Sequence, residues 1–154
     1  MQSSVSLVRC PDYDSGSLAA AVMESIGLAG FDLASLRGKK VALKPNLLMP
    51  FDPERAVITH PAFFRAVAEA VKGYTDDIIV IESPNFFPLR STMKKNGYLE
   101  IAEKLGLRIA DINRVRELHF ADAEKYRSLE IAADFFDVDV IVNIPKLKTH
   151  GFTH

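Results

Sequence analysis

The sequence predicts a three-layer α/β fold with a mostly parallel central sheet. Short apolar, β-branched segments alternate along the chain with amphipathic helical patterns, which is the arrangement of α/β proteins. The apolar segments are nearly continuous, as expected for strands that are covered on both faces. The clearest of them are Lys40–Leu43, Asp77–Ile81 and Val138–Ile144.

Two further strands and four helices complete the predicted order. Ser4–Arg9 alternates in the way of a half-buried or edge strand, and Leu107–Ile112 is a weaker candidate after Gly106. The helical patterns are Ser17–Ile26, Pro61–Lys72, Asn96–Leu105 and a short one around Ala121–Tyr126. Before the second helix, Thr59 is a suitable N-cap, and Pro61 suits its first turn.

Composition excludes several classes of protein. The 154 residues are 25% charged with a net charge of −1, which argues against disorder and against a strongly basic nucleic-acid binder. No apolar run approaches the roughly 20 residues that span a bilayer, and the first ten residues lack the pattern of a signal peptide. We therefore expect a single cytoplasmic domain over residues 1–154, with no nucleic-acid or membrane partner.

Polar side chains follow three predicted strands where a proline ends each one. The three exits are Lys44-Pro45-Asn46, Glu82-Ser83-Pro84-Asn85 and Asn143-Ile144-Pro145-Lys146. Each proline has no backbone N–H to donate to a neighbouring strand, and its φ is fixed. The chain therefore leaves the sheet there. Because ligands bind outside the carboxyl ends of parallel strands, we expect these side chains to converge on one rim.

The chemistry of this rim favours an anionic ligand, such as a phosphate, a carboxylate or a phosphorylated cofactor. In extended chain, side chains i and i+2 share a face about 6.5–7 Å apart. Lys146, Lys148 and His150 would then line one side, with Leu147 and Thr149 on the other. We expect Lys44, Lys146 and Lys148 to hold the anion, Asn46 and Asn143 to orient it, and Glu82 or His150 to transfer protons.

Structural roles for the same residues stay open. Lysines just past a strand end are often solvated charges that protect a sheet edge. His60 begins a predicted helix, where a capping role competes with a catalytic one. Glu82 and Asn85 can equally cap the segment that follows them.

Familiar catalytic and cofactor motifs are absent from the sequence. It has no GxGxxG or GxxxxGK[ST] motif, so the fold is Rossmann-like without a dinucleotide fingerprint. It also has no GxSxG or HExxH motif. His150 and His154 have the i, i+4 spacing of a helical metal pair, but Gly151 disfavours a helix, and we expect no metal site.

The ordered set of these motifs resembles the family catalogued as domain of unknown function 362. It consists of VALKPNLL, THPAFFRAVAEAVK, IIVIESP, GYLEIAEKLGL and DVDVIVNIPKLKTHGFTH, of which DVIVNIPKLKTH is the most specific. The resemblance extends from about Val5 to His154 and implies no particular reaction. Some members carry ferredoxin-like 4Fe–4S modules. The positions that match the family's recurrent polar motifs are Lys44, Asn46, His60, Glu82, Lys146, Lys148, Thr149 and His150.

The resemblance also shapes the functional hypotheses. Members of the family continue beyond the Lys-x-Lys-Thr-His segment, so we expect this chain to be the N-terminal portion of a longer domain. Cys10 is the single cysteine, so the chain has no set of iron–sulfur ligands, and the cofactor stays unknown.

Two functions of different classes remain from the sequence. The first is an enzyme or enzyme fragment that binds an anionic small molecule or cofactor at the carboxyl ends of the strands. The second is a non-catalytic subunit or split-domain half that docks an iron–sulfur or electron-transfer partner. Such a chain would form a homo-oligomer or accept a complementing segment through an open sheet edge. A truncated copy with no activity of its own is a further alternative.

Overall fold

The computed structural model describes residues 4–84 and 86–149 and confirms the predicted α/β fold. The helices are α1 (Ser15–Leu28), α2 (Pro61–Lys72), α3 (Leu89–Lys95) and α4 (Tyr98–Leu105). The strands are β1 (Val41–Pro45), β2 (Ile78–Val80), β3 (Arg108–Ile109), β4 (Val115–His119), β5 (Ser128–Ala132) and β6 (Val140–Ile144). In the described ranges, a parallel sheet of four strands has the order β3-β2-β1-β6, and β4 and β5 form a separate antiparallel pair.

The register of the parallel sheet aligns the predicted strand exits. β1 lies between β2 and β6, with Leu43 opposite Val80 on one side and opposite Val142 on the other. One residue further, Lys44 lies opposite Asn143. The carboxyl ends of β1, β2 and β6 therefore meet at one end of the sheet, as strand direction predicted.

The two faces of the sheet carry cores of different size. The larger core packs β1, β2 and β6 against α1, α2 and α4, with Phe64 and Tyr98 fully buried at its centre. The smaller core places Ala42, Ile79 and Ile81 against residues of β5 and of the 3-10 turn Ala133–Phe136. Apolar side chains on both faces explain why the strand sequences are nearly continuous apolar runs.

Thr59 holds the loop that crosses the carboxyl end of the sheet. Its hydroxyl donates to the carbonyl of Ile144 at 2.7 Å and accepts from the backbone N–H of Asn46 at 3.0 Å. Its backbone N–H donates to the carbonyl of Asn46, and its carbonyl accepts from the hydroxyl of Tyr98. This buried residue therefore connects the ends of β1 and β6 to α4.

His60, and not Thr59, is the N-cap of α2. Its imidazole Nδ1 accepts a hydrogen bond from the backbone N–H of Ala62 at 3.2 Å. The prediction that placed the cap on Thr59 was therefore wrong by one residue, because the Thr59 hydroxyl is committed to the strand ends. Pro61 occupies the first turn of α2 as predicted.

Other differences from the sequence prediction lie outside the parallel sheet. Ser4–Arg9 is not a strand, and its apolar side chains Val5 and Leu7 are more than 90% exposed. Around Ala121–Tyr126 the structure has turns between β4 and β5 in place of a helix. α3 and the β4–β5 hairpin were not predicted, since α3 has only seven residues and the hairpin strands are short, polar and largely exposed.

Replacing Thr59 by valine tests the connection across the sheet. Thr59→Val keeps the side-chain shape but leaves the Ile144 carbonyl and the Asn46 N–H without this partner. We expect a loss of about 1–3 kcal/mol in the free energy of unfolding, measured by urea denaturation.

Thr92→Val is the matched control for this prediction. Thr92 is also fully buried, but its hydroxyl has no hydrogen-bond partner among the described residues. Removing it should be neutral or stabilising, because an unpaired buried hydroxyl is itself unfavourable. Equal losses in the two variants would contradict the role assigned to Thr59.

Candidate functional site

Lys44 and Glu82 form an ion pair at the carboxyl ends of β1 and β2. The Lys44 Nζ lies 2.8 Å from a Glu82 carboxylate oxygen, and the Glu82 side chain is 12% exposed. The other carboxylate oxygen of Glu82 accepts from the backbone N–H of Ser83 at 3.1 Å. The sequence predicted that these two residues meet, but their charges balance each other. Lys44 is therefore a weaker attractor for an anion than its charge alone suggests.

Asn46 and Lys148 meet at a single backbone oxygen. The Asn46 amide donates to the carbonyl of Val57 at 3.2 Å, and the Lys148 Nζ donates to the same carbonyl at 2.9 Å. Lys146 and Lys148 are half-buried, whereas Leu147 and Thr149 are exposed, so the predicted alternation is present in residues 146–149. Lys148 thereby ties the exit of β6 to the loop that Thr59 holds.

A cleft of about 720 Å³ opens between α1, α2, β6 and the N-terminal segment. Thr59, His60, Asn143 and Lys146 line it where it reaches the carboxyl end of the sheet. Ligand pockets usually have volumes of about 300–1,000 Å³ and are mainly apolar with a few convergent polar groups. This cleft has the size and the composition of such a pocket.

Lys146 is the cation of this cleft. In the part of the chain that the structure describes, no carboxylate lies within 4.0 Å of its ammonium group. Its charge is close enough to His60 to disfavour protonation of the imidazole. Lys146 therefore offers an unbalanced positive charge beside an apolar cavity, which neither Lys44 nor Lys148 does.

His60 lies in an environment that favours the neutral imidazole. Burial lowers its pKa below the ordinary value, the charge of Lys146 lowers the pKa further, and Glu54 partly opposes both. The ring stacks on Tyr13 with centroids 3.7 Å apart. Because Nδ1 accepts the capping hydrogen bond from Ala62, the neutral ring carries its proton on Nε2. His60 can thus donate from Nε2 while it caps α2.

Tyr98 adds a buried hydroxyl beneath the rim. Burial raises its pKa, and the nearby charge of Glu82 raises it further, so the phenol stays protonated and donates to the carbonyl of Thr59. The helical pattern Asn96–Leu105 gave no reason to expect this contact. Its role is to fix the loop that carries His60.

The structure divides the predicted site residues into three groups. Lys44 and Glu82 form one pair, Asn46 and Lys148 share the Val57 carbonyl, and His60 and Lys146 line the cleft together with Asn143. Thr149 is exposed beside this rim. The remaining two predicted residues, Asn85 and His150, lie outside the described residues.

Sequence reasoning missed the residues that organise these groups. Thr59 and Tyr98 act through hydrogen bonds to backbone carbonyls, which no residue spacing indicates. Cys10 and Tyr13 also line the cleft, and they lie just after Ser4–Arg9, the segment that was predicted to be a strand. Tyr13 directly precedes Asp14, the N-cap of α1. This capping aspartate was a signal that the segment turns toward the helix.

Residues 4–84 and 86–149 contain neither a metal-binding cluster nor a helix that could span a membrane. No group of three His, Cys, Asp or Glu side chains in these ranges is arranged to hold a metal ion. No helix there has both the length and the apolar character needed to cross a bilayer.

The pH dependence of stability tests the environment of His60. As the pH falls below about 6.5, His60 becomes protonated in the unfolded chain at a higher pH than in the folded chain. The free energy of unfolding should therefore fall as the pH is lowered. His60→Asn keeps an N-cap acceptor but does not titrate. Between about pH 7.5 and 5 the wild-type chain should lose stability relative to this variant, measured by urea denaturation. Parallel pH profiles would contradict a depressed His60 pKa.

Comparison with known proteins agrees with the resemblance in the sequence. The chain is 34% identical to the thylakoid-associated protein sll1697 of Synechocystis sp. over 152 residues, which cover 98% of this chain and 47% of the relative. It thus spans about half the length of the curated relative it matches. No solved structure matches the chain.

The family model described as domain of unknown function (DUF362) matches residues 41–154. The matched range contains β1, the Thr59 loop and every predicted site residue. It begins after α1, so the α1 wall of the cleft and the N-terminal segment lie outside it, whereas the α2 wall lies inside it. The chain belongs to the domain of unknown function 362 family.

Proposed function

We propose that this chain supplies the anion-binding part of a small-molecule site, as an enzyme or an enzyme fragment. The site lies at the carboxyl ends of β1, β2 and β6, where ligands of parallel sheets bind. One observation carries the proposal. Lys146 lines a cleft of about 720 Å³ and has no carboxylate partner within the described residues.

Within this site the predicted residues take different parts. Lys146 binds the anion directly, and His60 donates to it from Nε2. Lys148 and Asn46 keep the rim in place through the Val57 carbonyl. Glu82 stays the candidate proton-transfer group, and its carboxylate lies 2.8 Å from the Lys44 ammonium group.

Anion-dependent stabilisation tests the proposal. Phosphate or a small dicarboxylate at 100 times its dissociation constant stabilises the folded chain by about 2.7 kcal/mol, which raises the melting temperature by several degrees. Lys146→Met should remove most of this shift, because it keeps the apolar stem and deletes the charge. The measurement is a thermal-shift titration at low ionic strength.

Lys94→Met is the control for this experiment. Lys94 is exposed on α3 and lies away from the cleft, so its substitution should leave the anion-dependent shift unchanged. Absence of stabilisation by every anion, or an equal shift in the Lys146→Met chain, would overturn the proposal.

A second function is favoured by the edge of the sheet. β6 pairs with β1 on one side, and the described residues provide no partner for its other side. Ile141 of β6 is 50% exposed on the face of the smaller core. Such an edge suits a second copy of the chain or a complementing segment, as in the N-terminal portion of a longer domain.

Light scattering distinguishes this second function from the first. If β6 is a docking edge, the chain should self-associate at micromolar concentrations, and Ile141→Lys should make it monomeric without unfolding it. Leu129→Lys is the matched control, since Leu129 on β5 is similarly exposed at 45%. A wild-type chain that stays monomeric at high concentration would count against docking through β6.

The cellular location of this chain is a further part of the proposal. The relative is described as thylakoid-associated, whereas the sequence predicted a cytoplasmic protein. We propose that the chain is cytoplasmic and that any association with a membrane occurs through a partner. Recovery of the protein in a washed membrane fraction without other proteins would contradict this.

A further inference from the structure

We infer that the cleft binds an amphipathic anion, with its apolar chain against α1 and α2 and its phosphate or carboxylate at Lys146. The inference rests on the proposed function, because it assigns the same lysine to the charged group. It adds the chemical class of the rest of the ligand. The observation behind it is the contrast between the two ends of one cavity.

The long walls of the cleft are apolar. Leu18 and Val22 come from α1, Phe63 and Val67 from α2, and Val142 from β6. Leu18, Val22 and Val67 are buried residues of the larger core, so the cavity extends the core outward. A small inorganic anion at Lys146 would leave these walls against water. An alkyl chain would cover them, and each methylene that it buries strengthens binding about fourfold.

The polar groups are concentrated where the cleft meets the carboxyl end of the sheet. Lys146 and His60 lie there, next to the first turn of α2, whose N–H groups also favour negative charge. Asp12 is the carboxylate that lines the cleft. One of its oxygens accepts the backbone N–H of Asp14 at 3.0 Å, so it is engaged at the start of α1.

A polypeptide is a poorer occupant than an alkyl chain. The helical walls have their backbone groups paired within α1 and α2, so they offer no partners to the amides of a bound peptide. Among the described cleft walls, the β6 edge and the extended N-terminal segment are the places where a peptide could pair. An alkyl chain carries no polar groups along its length and meets no such penalty.

Cys10 provides a direct measurement of occupancy. It is the single cysteine of the chain, is half-buried, and lines the cleft. A ligand in the cleft should therefore slow its reaction with a maleimide reagent. The probes are hexyl, octyl and decyl phosphate below their micelle-forming concentrations, with decanol and inorganic phosphate as the two partial ligands.

We expect decyl phosphate to protect Cys10 in a saturable way, with the apparent affinity rising about fifteenfold for each pair of methylenes in the series. Lys146→Met should weaken the alkyl phosphates about tenfold or more and leave decanol unchanged. Inorganic phosphate should bind without protecting Cys10, because it does not reach the apolar walls.

A matched pair of substitutions on α1 tests the apolar wall. Ala21 lines the cleft, whereas the neighbouring Ala20 is exposed and does not. Ala21→Leu fills the cavity with a good helix former and should weaken decyl phosphate at least tenfold. Ala20→Leu makes the same chemical change outside the cleft and should have no effect on protection.

Three results would overturn the inference. A flat chain-length series, together with a Lys146-dependent shift by inorganic phosphate, would leave the anion site intact and remove the amphipathic ligand. If decyl phosphate protected Cys10 equally in the Lys146→Met and wild-type chains, the cleft would be an apolar site without an anion site. Labelling that slows with protein concentration in the absence of ligand would show that another copy of the chain occupies the cleft.

Discussion

The hydrogen bonds of Thr59 are the constraint on which the carboxyl end of this structure depends. One buried residue contacts the exits of β1 and β6 and receives the hydroxyl of Tyr98. The Asn46 N–H and the Ile144 carbonyl would otherwise be polar groups at strand ends with no ladder partner, and the Tyr98 hydroxyl would be a buried donor without an acceptor, which is costly. The loop is held because it supplies the partners that the interrupted strands lack.

The position of this loop decides how the lysines of the rim are used. The Val57 carbonyl, two residues before Thr59, receives Lys148, and His60, one residue after it, faces the cleft with Lys146. Lys44 is compensated by Glu82. Three cations with similar sequence surroundings thus end in three electrostatic environments, and this difference is why the proposed anion site is placed at Lys146.

The sequence predicted the structure best where its pattern is physical and local. Continuous apolar strands predicted the parallel sheet, and the prolines at their ends predicted a shared rim, where Lys44 meets Glu82 and lies beside Asn143. It failed at Ser4–Arg9. The alternating pattern of this segment suits a strand, but among the described residues the segment has no neighbouring strand to pair with. It also overlooked α3 and the β4–β5 hairpin, which carry weak periodicity because α3 has only seven residues and the hairpin strands are short and exposed.

The sequence by itself determined the fold class, the direction of the strands and the set of polar residues at their ends. These follow from hydrophobic periodicity and from proline geometry, which act over a few neighbouring residues. Only the tertiary structure decided which of those residues pair, which carry free charge, and that an apolar cleft opens beside Lys146. Those properties depend on contacts between segments far apart in the chain, such as Thr59 with Ile144, and no local pattern encodes them.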